Sequence, residues 1–414
     1  MKILWFANTP CGAANSLGLS VHAGGWLNAL EQQILSFPEL ELHIAFHWHK
    51  ELEPFQVGRT HYYPIKSVRT RERLMARMRR TNPEAVLQAR YQDVINLVSP
   101  DLVHIHGTEK AFGIVLEKLT VPSVVSIQGL MSNYLERYFS GIGVLAFLRG
   151  ESFPSHLRGN SALSQYFVFK TDVQREQRIL AQARNVIGRT DWDRRSTKIL
   201  APNAQYHHGD EILGAEFYEK AWSKSSFSKP LRLVTVTGNA PYKGYEMVVK
   251  TASLLKRYGF DFQWDVIGLN KKASIVQVVE RCKTSVTGIN LLGRKTAGEI
   301  RDILLESDIY CQVSHAENSP NSLCEAMLVG MPIIASDAGG TGSLMQVNQN
   351  GWLVQDGDPW ALAGSIMQLS GQFDQAKTMG QLARVAATER HSSNRIGKEL
   401  VATYRHILSV GDAT

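Results

Sequence analysis

The stretch that most constrains this chain runs from Asp308 to Thr341: an apolar run, a polar break, an apolar segment of helical length, a third apolar run and a glycine pair. Residues 308–314 (DIYCQVS) read as a strand buried on both faces of a parallel sheet. The polar segment from Glu317 to Asn321, with Pro320 and Ser/Asn candidates for a cap, suits a loop opening a helix. That helix runs to about Val329, where Gly330 supplies a C-terminal stop and Pro332 forbids continuation. Ile333, Ile334 and Ala335 start the next buried strand before the flexible Gly339–Gly340 turn. A strand–loop–helix–strand unit of this kind requires a parallel sheet covered by helices, so the fold class is α/β.

The same pattern fixes Glu317 in the loop before the helix and Glu325 one turn inside it. Between them lie the free amides of the helix start, which together with the macrodipole attract an anion such as a diphosphate. Carboxylates on either side would accept hydrogen bonds from hydroxyls of a sugar or a ribose. Taken alone, two glutamates eight apart also fit a solvated helix. The surrounding residues weigh against that: Glu317 to Ala335 resembles retaining glycosyltransferases of family 4, whose mark is E-x7-E followed by EAM-x-x-G-x-P-[IV]-[IV]-A-[ST]. Asn318 and Pro320 stand where many members carry glycine, as in the E-x-x-P-N-x-x-x-E variant. The resemblance implies a GT-B fold, two Rossmann-like domains facing a cleft.

Composition agrees with a soluble globular protein: 414 residues, 44% hydrophobic and 20% charged, long enough for two or three domains. Cys11, Cys282, Cys311 and Cys324 lack close pairs or metal spacing and are expected to be reduced thiols of a cytoplasmic protein. The first seven residues carry one positive charge and too short an apolar run for a signal peptide, and no run reaches the roughly 18 apolar residues that cross a bilayer. They read as a first strand. A net charge of +7 implies anionic partners: nucleotide sugars, acidic lipid headgroups or nucleic acid. Nucleic acid is set aside because no recognition motif accompanies the charge. Residues 66–80 concentrate Lys and Arg beside Leu74, Met75 and Met78, as either a solvated helix face or a basic amphipathic helix on an anionic membrane.

Along the first half, Gly24 and Gly25 open a helix after a loop; glycine pairs let a backbone approach a ligand, and the resemblance places a donor-side glycine loop here. Residues 100–107 form a strand whose C-terminal end carries His106, the end that faces the ligand cleft in open α/β sheets. His106 is an acceptor-side candidate, equally suited to a structural role. Residues 121–129 repeat the pattern and end near Gln128, where many family members have a histidine that bonds the transferred sugar. Glutamine keeps a donor and an acceptor but no charge. The aromatic segment 134–149 reads as core packing or a lipid-contacting surface near the acceptor. Asp191-Trp-Asp193 resembles a metal-diphosphate tripeptide, yet Thr190 and Asp191 between a strand and a charged helix are explained by N-capping and the dipole, so no metal is expected. His47/His49 and His207/His208 lack companion ligands, and no zinc is assigned.

Residues 203–229 turn polar, and 223–230 read as a linker. The second domain opens with strand 231–237 and the loop from Gly238 to Gly244. By resemblance this loop carries an Arg and a Lys that neutralise the leaving diphosphate. Lys243 matches the Lys, whereas Asn239 stands at the Arg, which removes a bidentate clamp. Arg294 is a possible substitute. Gly351-Trp-Leu-Val matches the family's N-G-x-L-V turn, and 392–408 reads as helical. The expected domains are 1–215 on the acceptor side, 216–390 for the nucleotide sugar, and 391–414 as a helix returning to the first domain.

The resemblance thus implies a metal-independent, cofactor-free retaining hexosyltransferase using a UDP- or GDP-linked sugar and a saccharide or lipid-linked saccharide acceptor, in surface polysaccharide or glycolipid synthesis. It would be cytoplasmic, in peripheral contact with the inner membrane face. Glu317, Lys243 and Gln128 are the catalytic candidates. Thr237, Gly238, Asn239, Arg294, Asn318, Ser319, Asn321, Ser322, Leu323 and Glu325 join Gly24 and Gly25 on the donor side. A GT-B sugar-nucleotide epimerase and a catalytically silent nucleotide-sugar-binding protein remain alternatives.

Overall fold

A computed structural model describes residues 1–19, 25–67, 83–151, 159, 161–281, 287–346 and 349–411. Each half of the chain builds its own sheet. In the first half these are β1 (Lys2–Ala7), β2 (Glu41–Trp48), β3 (Phe55–Val57), β4 (Thr60–Lys66), β5 (Leu102–His106), β6 (Ser123–Ser126), β7 (Asn185–Gly188) and β8 (Gln205–His208). They lie in the order β3-β4-β2-β1-β5-β6-β7-β8, parallel throughout except the β3–β4 hairpin. The second half orders β9 (Leu231–Val236), β10 (Phe262–Ile267), β11 (Ile289–Gly293), β12 (Ile309–Gln312), β13 (Ile333–Asp337) and β14 (Trp352–Gln355) as β11-β10-β9-β12-β13-β14, all parallel. Ile3, Leu4, Trp5 and Phe6 are all fully buried, as are Ile333, Ile334 and Ala335. Helices cover both sheet faces, so successive side chains are apolar rather than alternating.

Both sheets reverse direction of growth next to their first strand, between β1 and β5 and between β9 and β12. That reversal opens a crevice at the carboxyl ends of the strands, where open α/β sheets take ligands. Glu317 and Lys243 both come from the second crevice: one follows β12, the other β9.

The chain crosses between the domains twice. Residues 223–230 are not a free tether: Lys224 Nζ lies 2.6 Å from Asp308 Oδ1, and the Ser228 amide donates to the same carboxylate at 3.1 Å. Just before them Trp222 is buried, its indole N–H bonded to the Ser307 carbonyl at 2.8 Å. An aromatic anchor and a buried acid thus dock what composition reads as a linker. On the return, the helix Ser393–Gly411 packs Ile396, Val401, Tyr404 and Ile407 into one core with Ile3, Trp5, Leu27 and Leu30 of the first domain. The Tyr404 hydroxyl accepts the Trp5 indole N–H at 2.9 Å.

Cys11, Cys311 and Cys324 are free and buried, while Cys282 lies outside the described residues, as do Gly24 and positions 68–80 of the basic segment. Lys66, the described start of that segment, pairs with Glu51 at 3.3 Å. The aromatic stretch after Tyr134 divides. Phe139 and Phe147 pack on each other, and Tyr138 on Tyr166 and Phe169, whereas Val144, Leu145 and Leu148 are exposed. No helix among the described residues is long and apolar enough to cross a membrane.

Candidate active site

After β9 the chain turns through Pro241–Lys243, and Thr237 Oγ1 donates to the Lys243 carbonyl at 2.8 Å, which tightens the loop. Gly244 follows with φ 73°, and a Cβ there would run into the Val313 carbonyl oxygen. Only glycine lets this loop lie against the end of β12. Lys243 Nζ consequently reaches Glu317 Oε1 at 2.7 Å. Glu317 is 5% exposed, and the Gln312 amide approaches the same oxygen at 3.4 Å. The Gly339–Gly340 turn, expected to be flexible, is a packed brace: Gly340 N–H donates to the Glu317 carbonyl at 2.9 Å.

His315, unremarked in the sequence, holds the same loop. Its amide donates to the Tyr242 carbonyl at 2.8 Å, and its ring lies 2.6 Å from both Asp356 Oδ1 and Glu246 Oε1. Burial opposes charge on the imidazole, but the two carboxylates prevail and raise its pKa to about 9. At neutral pH it is an imidazolium that ties the Lys243 and Glu317 loops together.

The helix Asn321–Val329 has Pro320 at its N-cap position and no side-chain cap. Ser or Asn capping, expected from sequence, does not occur. The Leu323 amide turns back to the Pro320 carbonyl at 3.0 Å and the Leu323 side chain is core. The amides of Asn321 and Ser322 find no acceptor among the described residues, which leaves an open anion-binding end. Gly330 ends the helix in the left-handed region, φ 80°.

Glu325, one turn in, makes no hydrogen bond or ion pair among the described residues. Burial, then the Glu216 carboxylate, raises it to about 7. A folded-state pKa above the unfolded value means that stability falls as pH rises from about 4.5 to 7. Glu325→Gln should therefore raise thermal stability at neutral pH, by up to about 2 kcal/mol, and flatten its dependence across that window. Melting curves at pH 4.5 and 7.5 check this; equal shifts at both pH values would refute it.

The opposite wall of the cleft belongs to the first domain. Trp26, Glu109, Gln128, Tyr134 and Arg189 face Lys243, Glu317 and residues 319–322 around a pocket of about 380 Å³, a size that suits a small-molecule ligand. The Gln128 amide nitrogen is buried there and meets no partner among the described residues. Glu109 has its carboxyl raised, chiefly by burial, although Asn8 donates to it at 3.2 Å.

The candidates separate accordingly. Glu317, Lys243, Gln128, Thr237, Gly238, Ser319, Asn321 and Ser322 come together at this pocket. Gly25 begins the helix Gly25–Ile34, one residue before Trp26. Asn239 does not face it as a phosphate ligand: its Oδ1 accepts the Ile275 amide at 3.1 Å and its amide meets Ser274, so it caps the start of the helix Ser274–Arg281. Arg294 is exposed beyond β11 and outside the pocket lining. Asn318 is 1% exposed and fully committed between domains: Thr190 Oγ1 donates to its Oδ1 at 2.6 Å and its amide donates to Asp193 Oδ2 at 2.9 Å. Its second amide hydrogen points to the Gln128 carbonyl at 3.4 Å, so both side-chain donors are engaged within the protein. His106 is 0% exposed, stacked on His104 at 3.7 Å, and held neutral chiefly by burial; it lines a separate small cavity behind Trp26 and Arg189. It stands inside the domain instead of on the cleft.

Thr190 caps the helix that follows it, as the sequence suggested; its partner in the capping box is Asp193, whereas Asp191, in the first turn, pairs with Arg194. Glu211, Cys324 and His391 bring ligand-type atoms within 4.8 Å of one another. Glu211, however, faces Arg189 and accepts from Ser319, while burial holds the Cys324 thiol protonated. Trp26, Glu109 and Arg189 escaped the sequence reading. Their one available signal was position, since Glu109 and Arg189 follow the carboxyl ends of parallel strands β5 and β7.

Residues 231–372 match the family model described as Glycosyl transferases group 1. Over 158 residues the chain is 30% identical to the amylovoran biosynthesis glycosyltransferase AmsK of Erwinia amylovora, a match spanning 36% of this chain and 39% of that protein. Over 140 residues it is 27% identical to the D-inositol 3-phosphate glycosyltransferase of Corynebacterium urealyticum, covering 34% and 32%. The matches thus span less than half the length of these relatives. Among solved structures, sucrose-phosphate synthase of Thermosynechococcus elongatus superimposes with a TM-score of 0.72 at 13% identity, over 99% of this chain and 100% of that one. HepE of Anabaena, in complex with UDP and glucose, gives 0.61 at 14% identity, over 98% and 99%. The architecture is the two-domain GT-B fold.

Proposed function

We propose that this chain is a retaining glycosyltransferase that moves a hexose from a UDP- or GDP-linked sugar to a saccharide or lipid-linked saccharide acceptor in surface polysaccharide synthesis. The observation that carries the reading is the Lys243–Glu317 pair at the open start of the helix Asn321–Val329, opposite a Gln128 amide that has no partner among the described residues. A diphosphate bound at that helix start would draw Lys243 to itself and free Glu317 for the hydroxyls of the donor sugar. Glu325 would hold the ribose. Stabilisation of the departing diphosphate by Lys243 and the amides would be the main catalytic term, with no protein nucleophile and no metal. Similarity to a protein named for amylovoran biosynthesis supports the polysaccharide setting, and HepE's complex with UDP supports a UDP-linked donor.

A thermal-shift screen of UDP- and GDP-sugars, followed by NMR of the anomeric configuration of the product, tests this. Stabilisation by one nucleotide sugar and transfer with retention are expected. Inverted product would overturn the retaining assignment. Free sugar without transfer would favour the epimerase, and binding without turnover a silent receptor.

The acceptor is proposed to be presented at an anionic membrane. The +7 charge and the exposed Val144, Leu145 and Leu148 support this. Sedimentation with phosphatidylglycerol vesicles should recover the protein in the pellet at low salt and release it at high salt. Recovery in the supernatant under both conditions would favour a soluble saccharide acceptor.

A further inference from the structure

We infer that Arg189, a residue of the first domain, is the second cation of the diphosphate site. The inference rests on the nucleotide-sugar reading and assigns the charge that Asn239 and Arg294 do not supply. Arg189 follows β7, and its backbone is clamped on both sides: its N–H donates to Asp193 Oδ2 at 2.8 Å, and its carbonyl accepts from Arg390 at 2.8 Å. The residue is 5% exposed, and its guanidinium lies over the Trp26 ring, 4.5 Å from the centroid. Nε faces Glu211 Oε2 at 3.4 Å. The two terminal amino groups meet no acceptor among the described residues, and Arg189 lines the same pocket as Lys243 and Ser322.

The remaining oxygen of Glu211 places this fork. Oε1 accepts the Ser319 hydroxyl at 2.5 Å, and Ser319 stands two residues before the first residue of the open helix. One carboxylate therefore faces the guanidinium as its ion-pair partner on one side and accepts a hydrogen bond from the helix start on the other. A stacked guanidinium whose Nε edge faces a carboxylate presents its amino groups as a planar pair, the geometry that takes two phosphate oxygens. Such a group is pre-oriented, because Trp26 and Glu211 already restrict its rotation. The helix and Lys243 belong to the second domain and Arg189 to the first, so the complete anion site exists only when the domains are together. Binding of the diphosphate would then itself favour the closed cleft, since only the closed form offers all three partners.

Calorimetry with UDP and UMP, and with GDP and GMP, on the full chain and on Arg189→Gln, Arg189→Lys and Lys243→Ala tests this. Arg189→Gln should weaken the diphosphate about tenfold or more while the monophosphate changes little, and Arg189→Lys should recover part of the loss. Equal diphosphate affinity in Arg189→Gln and wild type, with Lys243→Ala impaired, would overturn the inference and leave Arg189 to an anionic acceptor. A parallel fall of mono- and diphosphate would assign it a structural role and overturn it as well. If the wild-type chain binds neither UDP nor GDP, the nucleotide-sugar reading itself fails.

Discussion

Glu317→Gln should cut turnover by about a hundredfold or more while leaving the melting temperature nearly unchanged. The amide is isosteric and keeps an oxygen where Lys243 and Gln312 now donate at 2.7 and 3.4 Å, so the loop retains its shape. What it loses is charge. In the ligand-free site that charge holds Lys243; with donor bound it would orient sugar hydroxyls and balance positive character developing at the anomeric carbon. Removing it should release Lys243, so UDP binding should be unchanged or tighter even as transfer fails. Calorimetry and steady-state assays on one preparation check both halves. Wild-type turnover in a normally melting variant would exclude Glu317 from the reacting sugar. Lost UDP affinity would instead mean that the ion pair shapes the phosphate loop.

The legible part of this molecule is the part carried by local physics. Strands such as Ile3–Phe6 and Ile333–Ala335 announce themselves because burial on both faces demands consecutive apolar residues. Gly330 and Pro332 mark a helix end because few residues tolerate the left-handed turn found there. Half of the site was legible for the same reason, since Glu317 and the open helix start occupy one contiguous stretch. The other half depends on the domains meeting. Ser319 and Glu211 are 108 residues apart, and Asn318 and Asp193 are 125 apart. No periodicity or spacing connects such pairs. Asp193 shows the limit well: its place in the capping box with Thr190 follows from local spacing, but its bond to Asn318 follows only from docking. Asn239 shows the converse. A position that a family pattern assigns to phosphate is absorbed by the start of a neighbouring helix, because an Asn side chain bonds backbone amides readily.

Asn318→Ala should open the cleft. The side chain is buried at the meeting of the domains, receives the Thr190 hydroxyl at 2.6 Å and donates to Asp193 at 2.9 Å and towards the Gln128 carbonyl at 3.4 Å. Asp193 keeps other donors after truncation, namely the Arg189 amide at 2.8 Å and the Tyr206 hydroxyl at 2.6 Å, so the first domain should stay folded. The loss falls on the interface. Two or three buried hydrogen bonds, one of them to a carboxylate, correspond to about 2–3 kcal/mol. Against a closed state favoured by only a few kcal/mol, that would lower the closed-to-open equilibrium constant by roughly 30- to 150-fold and bring the two forms near balance. Turnover should fall with the closed fraction while each domain melts near its original temperature. X-ray scattering distinguishes this from direct contact with the donor. A lock predicts a larger radius of gyration in the ligand-free variant, contracting when UDP is added. A donor contact predicts unchanged scattering with a raised KM for the nucleotide sugar alone, and that outcome would return Asn318 to the substrate-binding set.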